Sequence, residues 1–140
     1  MLKSATPVIL LLLWSPLLLF PASNPDSLRQ IWLNADLPDS SRFEALELLA
    51  LNLGNNDSAT HYLTRMQEEA AAQKLPSWQI KALQRLANVQ FETSNYEAAE
   101  ASLQEVLDLS KKHRFTREEG LNTILLGRLY LEMGHAPQGD

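Results

Sequence analysis

The chain contains no cysteine. That absence excludes disulfides, thiolate metal sites, a cysteine nucleophile and lipid attachment at cysteine, and it leaves stability entirely to packing. Glycine is nearly as scarce, with five residues in 140, and these form neither a phosphate-cradling loop nor a nucleophile elbow. No segment alternates apolar and polar residues as a half-buried strand would, and none is low in complexity. Positive charge is in deficit, with 12 basic residues against 17 acidic. A nucleic-acid backbone or an anionic membrane surface is therefore excluded as a natural partner. The three histidines, His61, His113 and His135, lie far apart in the sequence, and no two of them stand three or four residues apart. No pair of histidines shares a helical face, so no metal site is expected, and no cofactor motif occurs. The neighbouring carboxylates Glu68-Glu69 and Glu118-Glu119 splay by about 100° around a helix and belong to solvated faces rather than to an acid–base pair.

The start of the chain is of another kind. Lys3 precedes an apolar run over residues 8–20, VILLLLWSPLLLF, followed by Pro21-Ala22-Ser23. A charged start, a short apolar core and a small-residue end form a secretory signal sequence. The run is shorter than the roughly twenty residues a membrane-spanning helix needs, and Pro16 interrupts it. Residues 1–23 are thus expected to be a signal peptide and the mature chain to be exported, periplasmic or secreted. The alternative is an uncleaved N-terminal membrane anchor. The remaining 117 residues are enough for one domain.

Within that remainder the sequence repeats every forty residues. Leu46, Leu86 and Leu126 are in phase, as are Gly54, Ser94 and Gly134, Ala59 and Ala99, Leu63 and Leu103, and Met66 and Val106. A period of this length marks a stacked array in which no unit can bury its apolar face alone. Residues 24–38 predict a short N-terminal helix, capped at Asp26 and carrying Leu28, Ile31 and Trp32 on one face, and a linker. Residues 39–53 predict a helix with Phe43, Leu46, Ala50 and Leu53 in step, closed by Gly54. Asn56 or Asp57 opens a second helix carrying Ala59, Tyr62, Leu63, Met66 and Ala70 to about Lys74. The pair makes a hairpin over 39–75.

The second unit, 76–115, repeats it. Ser77 is the expected cap of a helix presenting Ile80, Leu83, Leu86, Ala87 and Phe91, and the Ser94-Asn95 turn leads to Tyr96, Ala99, Leu103, Val106 and Leu107. An incomplete third unit, 116–134, opens with Thr116-Arg117-Glu118-Glu119, a capping box in pattern. Residues 135–140 form a C-terminal stub. Asn56-Asp57-Ser58 matches the glycosylation sequon, but it stands where the repeat needs a turn and a cap. Trp32 and Trp78 are expected to pack at hairpin edges.

Thr123-x2-Leu126-Gly127-x2-Tyr130, and Leu83-x2-Leu86-Ala87-x2-Gln90 followed by Tyr96, Ala99, Leu103 and Val106, resemble the tetratricopeptide repeat (TPR). The resemblance covers residues 39–134 and implies an all-α, right-handed solenoid of helical hairpins. In it Ala87 and Gly127 would allow close helix approach while the leucine and the aromatic residue fill the gap. The usual period is thirty-four, so forty implies longer second helices and a wider superhelix. The exported start and the phrases Pro38-Asp39-Ser40-Ser41-Arg42 and Asn56-Asp57-Ser58-Ala59 also resemble the extracytoplasmic sensor regions of some bacterial signalling proteins. These carry a nucleotide cyclase or histidine kinase output.

The resemblance implies a non-catalytic module that binds a protein or peptide on a concave face lined by the first helix of each unit. That face would carry Lys81, Gln84, Asn88 and Glu92 in the second unit and Ile124, Arg128, Leu131 and Glu132 in the third. Asn88 matches one element of the asparagine–lysine grooves that hold a peptide's terminal carboxylate in some relatives, but the repeated lysines are missing and that activity is not expected. The alternative function is a truncated sensory region of a membrane signalling enzyme. Finally, Leu121, Ile124, Leu125, Leu126, Leu129, Tyr130, Leu131 and Met133 cover well over half of the last helix, which predicts self-association through it.

Overall fold

The computed structural model describes residues 24–134. The expected signal sequence and the C-terminal stub lie outside the described residues. Those described are all-helical: α1 (Pro25–Leu33), α2 (Asp39–Leu53), α3 (Asp57–Ala72), α4 (Pro76–Glu92), α5 (Tyr96–His113) and α6 (Thr116–Glu132). Among them no strand occurs, and no helix is long and apolar enough to cross a membrane.

Each helix packs chiefly against its neighbours in the chain. The reason lies in the turns. Gly54, Lys74, Ser94, Arg114 and Gly134 all have positive φ, between 58° and 72°, and they recur every twenty residues. A left-handed residue ends a helix by turning the chain back and satisfying the last carbonyls. At three of these turns the next amide reaches five residues back, from Leu75 to Ala70 O (2.8 Å), Asn95 to Gln90 O (2.7 Å) and Phe115 to Ser110 O (2.8 Å). The forty-residue period is therefore two equal halves. The helices within a hairpin are nearly equal too, 15 and 16 residues in the first and 17 and 18 in the second. The expectation that the extra length lies in the second helices is corrected: both members share it.

Three expected caps are also corrected. Asn24, not Asp26, caps α1, its side chain accepting from the Asp26 amide. Leu75 and Phe115 occupy the N-cap positions of α4 and α6, without side-chain hydrogen bonds, so Ser77 and Thr116 lie inside the helices. In both cases a single residue stands between the left-handed residue and the next helix, and that residue is apolar because it packs. Leu75 joins the cluster of Trp32, Phe43, Leu46, Met66 and Ala82, and Phe115 joins Ile80, Leu83 and Val106. Pro76 at the first helical position suits its fixed φ and missing amide proton. Asn56 caps α3 as the sequence predicts, accepting from the Ala59 amide at 2.9 Å.

The core follows the in-phase residues. Leu46, Ala59, Met66, Ala99 and Val106 are almost completely buried, and each large side chain contributes about 1.5–3 kcal/mol. Phe43 stacks on Trp78 at 5.6 Å between ring centroids and meets Trp32 at 6.1 Å, so both tryptophans pack. Ala87 lies against Ala99, Leu103 and Leu129. Gly127, its counterpart forty residues on, does not serve a close approach: a side chain there would meet nothing within 4 Å.

Candidate functional site

The first helices α2, α4 and α6 stand side by side and share a shallow surface. One hollow lies between α2 and α4, lined by Leu51, Asn55, Arg85 and Asn88. A second lies between α4 and α6, lined by Lys81, Gln84, Asn88, Leu121 and Ile124. A third continues toward the α5–α6 turn past Ser77, Phe115, Arg117 and Glu118.

Its electrostatic centre is Glu47 of α2, a residue only 6 % exposed. One carboxylate oxygen accepts from Lys81 Nζ at 2.8 Å and the other from Arg85 Nε at 3.0 Å. Lys81 and Arg85 are one helical turn apart on α4 and present both cations to a single acid. Their side chains remain 43 % and 42 % exposed, so the surface keeps one positive charge beyond what Glu47 balances. Lys81 Nζ also sits 4.9 Å from the Trp78 ring centre, which fixes it from a second side. Beside these cations, Leu51, Leu121 and Ile124 are 48 %, 48 % and 70 % exposed. An apolar ledge thus adjoins a pinned cationic pair.

Of the residues predicted for a concave face, Lys81, Gln84, Asn88 and Ile124 come together on this surface. Glu92 and Arg128 lie at its far end, where they line a small hollow with Asn88 and Phe91. Arg128 rests 5.5 Å from the Phe91 ring centre. Leu131 and Glu132 line none of these hollows; both are exposed, and Leu131 lies on the outer side of α6. Sequence reasoning missed Glu47 and Arg85. A signal was present, because Glu47, Ala87 and Gly127 share one position of the repeat, and a carboxylate where a small residue belongs calls for a cation on the next first helix.

Two further polar contacts tie helices together, one within the second hairpin and one between it and α6. Ser102 Oγ donates to Gln90 Oε1 at 2.8 Å, tying α5 to α4. The Tyr130 hydroxyl donates to Glu100, tying α6 to α5. That hydrogen bond, with burial and the nearby carboxylate charge adding to it, raises the Tyr130 pKa above the ordinary tyrosine value. Among the described residues no group of three or more acidic or histidine side chains is placed to hold a metal ion.

The chain was compared with protein-family models, curated proteins and solved structures, and none of the three comparisons gives a match.

Proposed function

We propose that this chain is an exported, TPR-like stack of helical hairpins, right-handed in its superhelix and without catalytic activity. Its α2–α4–α6 surface binds a protein or peptide segment. The observation that carries this reading is the cationic pair Lys81 and Arg85, pinned by buried Glu47 beside the exposed Leu51 and Leu121. Pinned cations have lost little further freedom to bind, and an adjacent apolar ledge contributes affinity that charge alone does not. The matching ligand is a segment with a carboxylate next to an aliphatic or aromatic side chain. The forty-residue register, the equal hairpins and the packing of Leu86-Ala87 support the TPR-like arrangement, and the sequence of residues 1–23 supports export.

Selection of displayed random peptides against the folded chain tests the reading. Enriched sequences should pair Asp or Glu with a bulky apolar residue. Their binding should fall at least about tenfold in a Gln84→Glu, Asn88→Asp double variant, which adds two negative charges at the surface without touching the core. Selected peptides indifferent to that change would place the binding surface elsewhere.

A further inference from the structure

The outer face of α6 carries apolar side chains that no described element covers. Ile124, at the rim of the α4–α6 hollow, is 70 % and Leu131 67 % exposed. Gly120 and Gly127 alternate with them along the helix, and a Cβ on either would meet nothing within 4 Å. Neither glycine has a positive φ. Nothing among the described residues of one copy requires glycine at these two positions, and each weakens the helix it interrupts.

The order of these residues suggests what requires them. Gly120, Ile124, Gly127 and Leu131 follow one another at intervals of four, three and four. This is the spacing of a seam that faces one partner helix along its length. The seam alternates small and large. If a second α6 lies antiparallel across a two-fold axis passing level with the midpoint of Leu125 and Leu126, each large residue meets a small one. Ile124 then faces Gly127 of the second copy and Leu131 faces Gly120 of the second copy, with the same contacts repeated by symmetry. A parallel pair in register would instead set glycine against glycine and leucine against leucine. Charge agrees with the antiparallel choice. Arg117 flanks one end of the seam and Glu132 the other, so the antiparallel pair brings Arg117 to within about 3 Å, along the axis, of the level of Glu132 of the second copy.

We propose that the outer face of α6 is a homodimer interface in which two α6 helices pack antiparallel, with Ile124 and Leu131 of each copy seated over Gly127 and Gly120 of the other. The equivalent face of α4 supports the geometry. Ile80, Ala87 and Phe91, forty residues before Gly120, Gly127 and Leu131, are buried or partly buried against other helices of the stack, while Gln84, the counterpart of Ile124, is half-buried at the rim of the groove; this helical side is used for packing where a neighbour exists.

Gly127→Arg tests the proposal without endangering the fold, because the added side chain enters open space in the single copy. Sedimentation equilibrium of the full chain should show a dimer, and Gly127→Arg should raise its dissociation constant at least about tenfold with an unchanged helical circular dichroism spectrum. Because the chain has no cysteine of its own, introduced pairs report the direction. Gly120→Cys with Leu131→Cys should form an interchain disulfide. Leu131→Cys alone should not, since the antiparallel register separates the two copies of that residue by about 16 Å along the helix. A wild-type chain that stays monomeric, a Gly127→Arg variant that associates as the wild type does, or efficient cross-linking through Leu131→Cys alone would each overturn the proposal.

Discussion

Helices α4 and α6 are the same element met twice, each 17 residues long and in register at a forty-residue offset, yet they differ in what surrounds them. On α4, Ile80, Leu83 and Ala87 are buried. On α6 the matching Gly120, Thr123 and Gly127 are exposed. The inner sides agree, for Val89 and Leu129 are both buried. A repeat pattern thus determines which side of a helix is able to pack, while burial is decided by whether a neighbour is present. At these three positions the residues have followed the neighbours: Ile80, Leu83 and Ala87 on α4 are each larger or more apolar than Gly120, Thr123 and Gly127 on α6.

The comparison can be broken most sharply at Leu83 and Thr123. Urea unfolding should show a loss of about 2–5 kcal/mol for Leu83→Ala, and a change within about 0.5 kcal/mol for Thr123→Ala. The next pair should differ in sign. Ala87→Leu crowds Ala99, Leu103 and Leu129 and should cost about 1–3 kcal/mol. Gly127→Ala should gain about 1 kcal/mol by helix preference alone in thermal unfolding of a dilute sample.

A smaller contrast concerns how neighbouring first helices are joined. α2 and α4 are clasped by Glu47, whereas α4 and α6 meet through apolar contacts. Glu47→Ala frees two half-exposed cations and should cost about 1–2 kcal/mol, an effect smaller than that of Leu83→Ala. An equal or larger loss would make the clasp rather than the core the main tie between these helices.

The smallest expected effect is a pH dependence confined to α6. Tyr130 is held in its protonated form by its bond to Glu100, so its pKa is higher in the folded than in the unfolded chain. Its contribution is fully present below the ordinary tyrosine pKa of about 10 and is lost as pH rises through the higher folded value. Absorbance titration should show a tyrosine ionising above the ordinary range, and Tyr130→Phe should abolish that step.

Much of the fold was legible because forty-residue phase and helical phase agree. Leu46, Ala59, Met66 and Ala99 are both in phase and buried, and Gly54, Ser94 and Gly134 all adopt left-handed turns. The half-period was not legible, since Lys74 and Arg114 take the same turn without the glycine or asparagine that signals it. The caps were misplaced for the same reason, with Leu75 and Phe115 at cap positions for their packing rather than their polarity. The groove was legible at Lys81, Gln84, Asn88 and Ile124 but not at Glu47. A charged residue inside a core-facing stretch announces itself only once the helix bearing its cations is set beside it. Gly127 was misread because its role depends on a neighbour, which local pattern does not supply.

Amide hydrogen exchange in the Gly127→Arg variant measures the difference between the two helices most directly. With the outer face of α6 unpaired, central amides of α4, around residues 82–90, should exchange only through global unfolding. Those of α6, around residues 123–130, should exchange through a local opening and be at least about tenfold faster. Equal protection in the two helices would contradict the account, because α6 would then be held as firmly with neighbours on one side as α4 is with neighbours on both.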